Sequence, residues 1–174
     1  MFKKLTFLPL LVGSILGLLG CIYLLIVYKF GEANPFYSFP QKLSILFCLA
    51  VALASIAGYR QYQNEGQLSF GEGIVVGSFA NLVHAAIVSL AIFVYCQYIE
   101  PELVVNQIKT LNEYMIFNKE NLIQSSSPEL YAGSLKQVKN VNASSLAWDS
   151  LIWKMVQGIM FSILISLVLR RKAE

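Results

Sequence analysis

The chain has 174 residues, 56% of them hydrophobic and only 13% charged, against about 25% charged in an ordinary soluble domain. One soluble domain of this length would leave much of its apolar surface in water, so lipid is the more economical cover. The formal net charge of +3 is mild, and no Lys/Arg stripe with interleaved aromatics is present, which argues against nucleic-acid binding.

Four apolar runs stand out: Leu5 to Val27, Leu43 to Tyr59, Ile74 to Tyr98 and Leu151 to Leu169. At about 1.5 Å per residue they reach roughly 25 to 38 Å, against a hydrocarbon core of about 30 Å. Lipid offers no partner for a free backbone N–H or C=O, so each run is predicted to be a helix. The first follows Lys3 and Lys4, and Leu18-Leu19-Gly20-Cys21 looks like a lipoprotein cleavage box. Past Cys21, however, the chain continues Ile-Tyr-Leu-Leu-Ile-Val. The run is too long for an ordinary signal segment, so a retained span is expected, with cleavage at Cys21 as the alternative. The second run is the shortest, and Lys42 and Arg60 bracket it with stems that can snorkel to the interfaces.

An even number of spans places Lys3, Lys4, Arg60, Arg170, Arg171 and Lys172 on one side, which the positive-inside rule makes cytoplasmic, together with both termini. Lysines also occur on the other side, but over a far longer stretch and among most of the acids.

Small residues recur at every fourth position: Gly13 and Gly17; Ala50, Ala54 and Gly58; Gly73, Gly77, Ala85 and Ser89 with Asn81 between; Gly158, Ser162 and Ser166. Such stripes let helix backbones approach closely inside lipid, and the long register from Gly73 to Ser89 makes the third helix the expected packing centre. Asn81 and His84 share a face near its middle. Polar groups at that depth mark a functional hypothesis, but simple hydrogen bonding across to Ser162, Gln157 or a backbone carbonyl of another helix is the expectation, with a proton or solute role as the alternative. No Asp, Glu, Lys or Arg lies deep in any of the four runs. Gln157 and Lys154 fall near the outer end of the fourth, where Lys154 is expected to snorkel to the headgroups, a lipid-headgroup site being the sharper alternative. The candidate packing or solute-path residues are therefore Gly73, Gly77, Asn81, His84, Ala85, Gln157, Gly158 and Ser162.

Between the third and fourth runs, about 99 to 150, the chain is too polar to span. Glu100-Pro101-Glu102 starts a helix well, with proline and acids in the first turn. Val104, Ile108, Leu111 and Met115 then recur at helical spacing to about Phe117. Ser125-Ser126-Ser127-Pro128 breaks this helix. Leu130, Tyr131, Leu135 and Val138 predict a second short one, and Asn140 to Ser145 reads as a polar linker. Asn142-Ala143-Ser144 fits a glycosylation sequon of the kind that chance supplies.

The three cysteines, Cys21, Cys48 and Cys96, lie in separate apolar runs and form neither a disulfide framework nor a CxxC pair. With His84 the one histidine and Asp149 the one aspartate, multi-histidine metal sites are excluded. The loop carboxylates Glu65 and Glu72 have no nucleophile or metal-ligand neighbours. No enzyme activity, cofactor or metal is therefore expected.

The stretch Gly66-Gln67-Leu68-Ser69-Phe70-Gly71-Glu72-Gly73, leading into a span that ends at Tyr98-Ile99-Glu100-Pro101-Glu102, resembles the pattern of the bacterial domain-of-unknown-function 4199 family. The similarity extends over nearly the whole chain: four predicted spans, a short Ser-Phe-Gly loop before the third, and a long hydrophilic segment before the fourth. It implies a bacterial multi-pass membrane protein and supplies no site residues. The connecting segment departs by being less charged than the family pattern.

The expected fold is an all-α membrane protein, a four-transmembrane-helix bundle forming a single membrane domain over 1–174, with an amphipathic helical segment between helices 3 and 4. The expected location is a bacterial inner membrane, with the lipid bilayer and either a second copy or another membrane protein as partners. Association as a scaffold or accessory subunit is the first functional expectation, through the small-residue faces and the segment from Pro101 to Val138. A small transporter or channel component, with Asn81, His84 and Gln157 lining a polar path, is the second.

Overall fold

The computed structural model describes residues 2–30 and 44–170, with side chains from residue 7 to 29 in the first part. The flanking cations Lys3, Lys4, Lys42, Arg171 and Lys172 lie outside the described side chains. The described residues form helices and no strands: α1 Phe2–Phe30, α2 Ile45–Gly58, α3 Phe70–Val94, α4 Glu102–Phe117, α5 Lys119–Ser125, α6 Pro128–Lys139 and α7 Ala143–Leu169. Helices α2 and α3 each end in a wider π-type turn, Tyr59–Gln63 and Tyr95–Ile99. Four helical stretches are long and apolar enough to cross a membrane: Phe7–Lys29, Ile45–Gln63, Phe70–Ile99 and Ala143–Leu169.

Local chemistry moves two of the sequence-based boundaries. Helix α3 starts at Phe70, about a turn before Ile74, because Ser69 and Glu72 form a reciprocal capping box: the Ser69 Oγ accepts from the Glu72 N–H at 3.3 Å, and the Glu72 carboxylate accepts from the Ser69 N–H at 3.0 Å. Two of the orphan N–H groups at the helix start are thereby satisfied. Ahead of it, Glu65 and Gly66 both take the left-handed conformation, at φ 52° and 81°. Arg60 donates from Nε to the Gly66 carbonyl at 3.0 Å, so it ties down this turn instead of only reaching toward the interface. Leu68 is fully buried beneath the turn.

The larger shift is at α7. The stretch from Asn140 to Ser145 was expected to be a linker, yet Asn142 and Ser145 cap each other reciprocally, both bonds at 2.9 Å, and the helix begins at Ala143. Asparagine and serine are poor interior helix formers but good caps. Their polarity hides about two turns of helix that precede Leu151.

Helix α3 is central. It packs against α1 on one side and α7 on another, with α2 filling the angle between α3 and α7. Helix α1 runs parallel to α3, since Cβ positions built on Gly13, Gly17 and Gly20 fall in turn against Ala80 and Val83, Ile87, and Val88 and His84. Helix α7 runs antiparallel. The bulky residues point the other way: Leu10, Ile15, Leu18 and Ile22 of α1, Leu46 and Leu53 of α2, Val75 and Leu90 of α3, and Met160 and Leu164 of α7 are all exposed. A soluble protein rarely leaves so much contiguous apolar surface in water, whereas lipid covers it at no cost.

Inside, two apolar clusters occupy the two ends. Ala52, Ile56, Tyr59, Leu68, Val76 and Ile165 form the one nearer the Gly66 turn. Leu24, Val88, Ile92, Cys96, Ala143 and Leu146 form the other. Beyond the latter, α4 and α6 make a hairpin in which the two predicted stripes meet each other: Val138 is buried, Val104, Ile108, Leu111, Met115, Tyr131 and Leu135 are half-buried, and the Tyr131 hydroxyl donates to the Met115 carbonyl at 3.3 Å.

Removing the Ser69 cap by Ser69→Ala should lower stability by about 1 kcal/mol in detergent unfolding. Gly71→Ala, with nothing within 4 Å of the new methyl, should leave stability unchanged or slightly raised.

Candidate functional site

The α3–α7 seam is built by small residues meeting at one level after another. A Cβ on Gly73 would collide with Ser166, one on Gly77 would come within 2.5 Å of the Ser162 Oγ, and one on Gly158 would collide with Asn81. Each step of four along α3 is matched by four back along α7. Continuing at that interval brings Ala85 level with Lys154, and Ser89 level with Ser150. Ala85 is fully buried, and the Ser89 and Ser150 hydroxyls are buried without partners.

Most polar hydrogens on the seam are satisfied within their own helix. Ser162 donates to the Gly158 carbonyl at 2.6 Å, Ser166 to the Ser162 carbonyl at 2.5 Å, and Asn81 Nδ2 to the Gly77 carbonyl at 3.1 Å. On α2, Ser55 does the same toward Val51 at 2.6 Å. The expected bonds from Asn81 across to Ser162 or Gln157 are therefore not made. Asn81 instead presses its side chain on Gly158, and its Oδ1 is buried without a partner. Gln157 turns toward α2, where its Oε1 accepts from the Cys48 thiol at 3.9 Å.

His84 lies off this seam, three residues on from Asn81, and faces α1 and α2. It is 1% exposed. Its ring stacks on Phe47 with centroids 6.3 Å apart and planes 10° from parallel, and Phe47 in turn meets Tyr23 at 5.5 Å. Gly20 is what lets α1 close on the ring: a Cβ there would stand 3.2 Å from the His84 Cε1 and 3.1 Å from Val88. The Leu16 carbonyl approaches the imidazole from α1, but neither ring nitrogen completes a hydrogen bond.

Lys154, expected to snorkel to the headgroups, has its side chain packed into the bundle. It is only 8% exposed and stands near the middle of the 27-residue α7, close enough to His84 and Cys48 to act on both electrostatically. With α7 starting at Ala143, Lys154 lies about three turns into the helix. Among the described residues its ammonium forms no ion pair. Together with Gly20, Tyr23, Leu24, Ser44, Phe47, His84 and Val88 it lines a small recess of about 10 Å³, the room that about one water molecule needs. This polar layer separates the two apolar clusters.

Of the eight candidate residues, Gly73, Gly77, Asn81, Gly158 and Ser162 meet on the α3–α7 seam and Ala85 continues its register. His84 and Gln157 belong to the layer beside it. Lys154, Tyr23, Ser44, Phe47 and Gly20 were missed. For Lys154 a signal existed, since Ser150, Lys154, Gly158, Ser162 and Ser166 share one four-residue register and hence one helix face. For Gly20 and Tyr23 periodicity alone offered nothing. Among the described residues no three His, Cys, Asp or Glu side chains gather as a metal set.

The sequence model of a protein family of unknown function, DUF4199, matches residues 11–171. The chain belongs to that family, as the Ser-Phe-Gly-Glu stretch and the spacing of the spans implied. Neither a curated protein nor a solved structure matches it.

Two outcomes follow from this geometry. An amine-acylating reagent applied to the folded protein in mild detergent should modify the exposed Lys109, Lys119, Lys136 and Lys139 and spare Lys154 until the protein is unfolded, as read by peptide mass mapping; early modification of Lys154 would restore the snorkelling orientation. Gly158→Ala should cost about 1–3 kcal/mol, because the new methyl meets the Cβ of Asn81, which cannot swing away.

Proposed function

We propose that this DUF4199 member is a small transporter or channel component, not an enzyme, that handles a small polar solute or ion at the layer around His84 and Lys154. We place it in the plasma membrane of a bacterium, with both termini cytoplasmic and the first span retained. The carrying observation is the pair at the recess: both His84 nitrogens are buried without a partner, and Lys154, only 8% exposed and in no ion pair among the described residues, lines the same recess. A buried polar group left unmade costs about 1–3 kcal/mol, and more if charged. Ionisable residues at such depth usually mark substrate or ion pathways.

Association as a scaffold or accessory subunit loses one of its supports. The small-residue faces that were to bind a partner are used within the chain, where Gly13, Gly17, Gly73, Gly77 and Gly158 all meet its own helices. What favours an accessory role is outside the spans: Ile116, Phe117 and Leu130 are exposed at the closed end of the α4–α6 hairpin, Phe117 at 90%. This second reading predicts co-purification of another membrane protein or a second copy through the hairpin.

The test is ion and solute flux in proteoliposomes. His84→Ala should reduce flux by about tenfold or more, the equivalent of one charged hydrogen bond, with helix content and elution volume unchanged; His84→Asn should behave likewise. If both variants lose flux only in step with folding, His84 is a packing residue. Reporters fused after Gly31, Gly66, Ser126 and Glu174 should report outside, inside, outside and inside in that order. Any other pattern overturns the orientation, and a mature mass beginning at Cys21 overturns the retained first span.

A further inference from the structure

We infer that the recess between His84 and Lys154 binds a small monovalent anion of halide size, with the Lys154 ammonium as its counter-charge; this rests on the solute-handling function proposed above. Charge and size make the case. The described groups around the recess that can donate are the Lys154 ammonium, a His84 ring N–H and the Ser44 hydroxyl. Among the described residues no carboxylate lines it. Glu72 is engaged in the cap at the start of α3, Glu100 accepts from the Tyr95 hydroxyl at 2.8 Å beyond the end of that helix, and Asp149 is exposed on α7. A cation would meet an ammonium with nothing to offset it.

Ser44 and Phe47, at the start of the described α2, line the same recess, and Ser44 makes no side-chain capping bond. Lys154 and His84 complete the site independently: each is more than nine-tenths buried and lines the same recess, and both His84 ring nitrogens are buried without a partner. An isolated ammonium in a low-dielectric interior is costly, and an anion beside it removes most of that cost. With room for about one water molecule, the recess takes a single small ion at most, and not a phosphate group or a whole lipid headgroup. Its stacked wall of Tyr23, Phe47 and His84 keeps the contact dry on one side.

The experiment uses the full chain in detergent and in neutral-lipid nanodiscs, titrated with sodium chloride against sodium gluconate at equal ionic strength. Chloride should raise the unfolding temperature saturably, by about 5 °C at a hundredfold excess over its Kd, and gluconate should not. Lys154→Met should abolish the chloride response while remaining at least as stable as the parent protein in gluconate, because an unpaired buried charge is gone; Lys154→Arg should keep part of the response. An equal response to chloride and gluconate, or a chloride response that survives Lys154→Met, overturns the site. So does stabilisation by phosphate, or by phosphatidylserine in the nanodisc, that exceeds the effect of chloride. Chloride binding without any flux would overturn the transport proposal and leave the anion site standing. Flux that depends on His84 without any chloride effect would do the reverse.

Discussion

The close approach of α3 and α7 is the constraint on which the rest of the structure depends. In lipid, burying apolar side chains against one another gains little, since the tails are as apolar as leucine, and helices hold together by packing their backbones closely. Gly73, Gly77 and Gly158 make that approach available: at each, a single methyl would collide with Ser166, Ser162 or Asn81 across the seam. The contact is so tight that its polar members have room only for their own helix, which is why Ser162 and Ser166 bond back to carbonyls one turn earlier.

Once α3 and α7 are locked in that register, the remaining positions have little freedom. Helix α1 closes on another face of α3 through Gly13, Gly17 and Gly20, and α2 lies in the angle beside them. The apolar bulk that would form a core in water is turned outward, and the interior is divided into two modest clusters with a polar layer between. Such a layer is tolerable only where it is satisfied or used. Its lower members, Ser55 and Ser162, are satisfied. Among its upper members both His84 nitrogens are not, and His84 and Lys154 border a recess.

The spans and the central role of α3 were legible in the sequence because hydropathy and a four-residue register are local and additive. The boundaries of α3 and α7 were less so, since Ser69 and Asn142 act through reciprocal caps that lower local hydropathy just where a helix begins. The two amphipathic stripes of the connecting segment were also visible, but that they cover each other is a tertiary fact which spacing does not contain. Among the candidate residues, Gly73, Gly77, Asn81, Gly158 and Ser162 could be found by periodicity. Lys154 was read as a headgroup anchor, with a lipid-headgroup site as the alternative, because the start of its helix was put about two turns too late. The register with Gly158 and Ser162 would have corrected it.

Lys154 also explains why the seam opens where it does. At the levels of Gly73, Gly77 and Gly158 one partner in each pair is a glycine, and the backbones touch. At the next level the pair is Ala85 and a lysine, and a four-carbon stem cannot be accommodated in a contact made for methyl groups. The stem lies toward the start of the described α2, beside Ser44 and Phe47. On the opposite side, Gly20 draws α1 against His84, so that the space released by the lysine is not filled from there. A recess bounded by an ammonium, an imidazole and a helix start is then the consequence of one long side chain placed on a face otherwise reserved for small ones. Replacing that lysine by alanine would extend the small-residue stripe of α7 without interruption and remove the only formal charge from the middle of the described bundle.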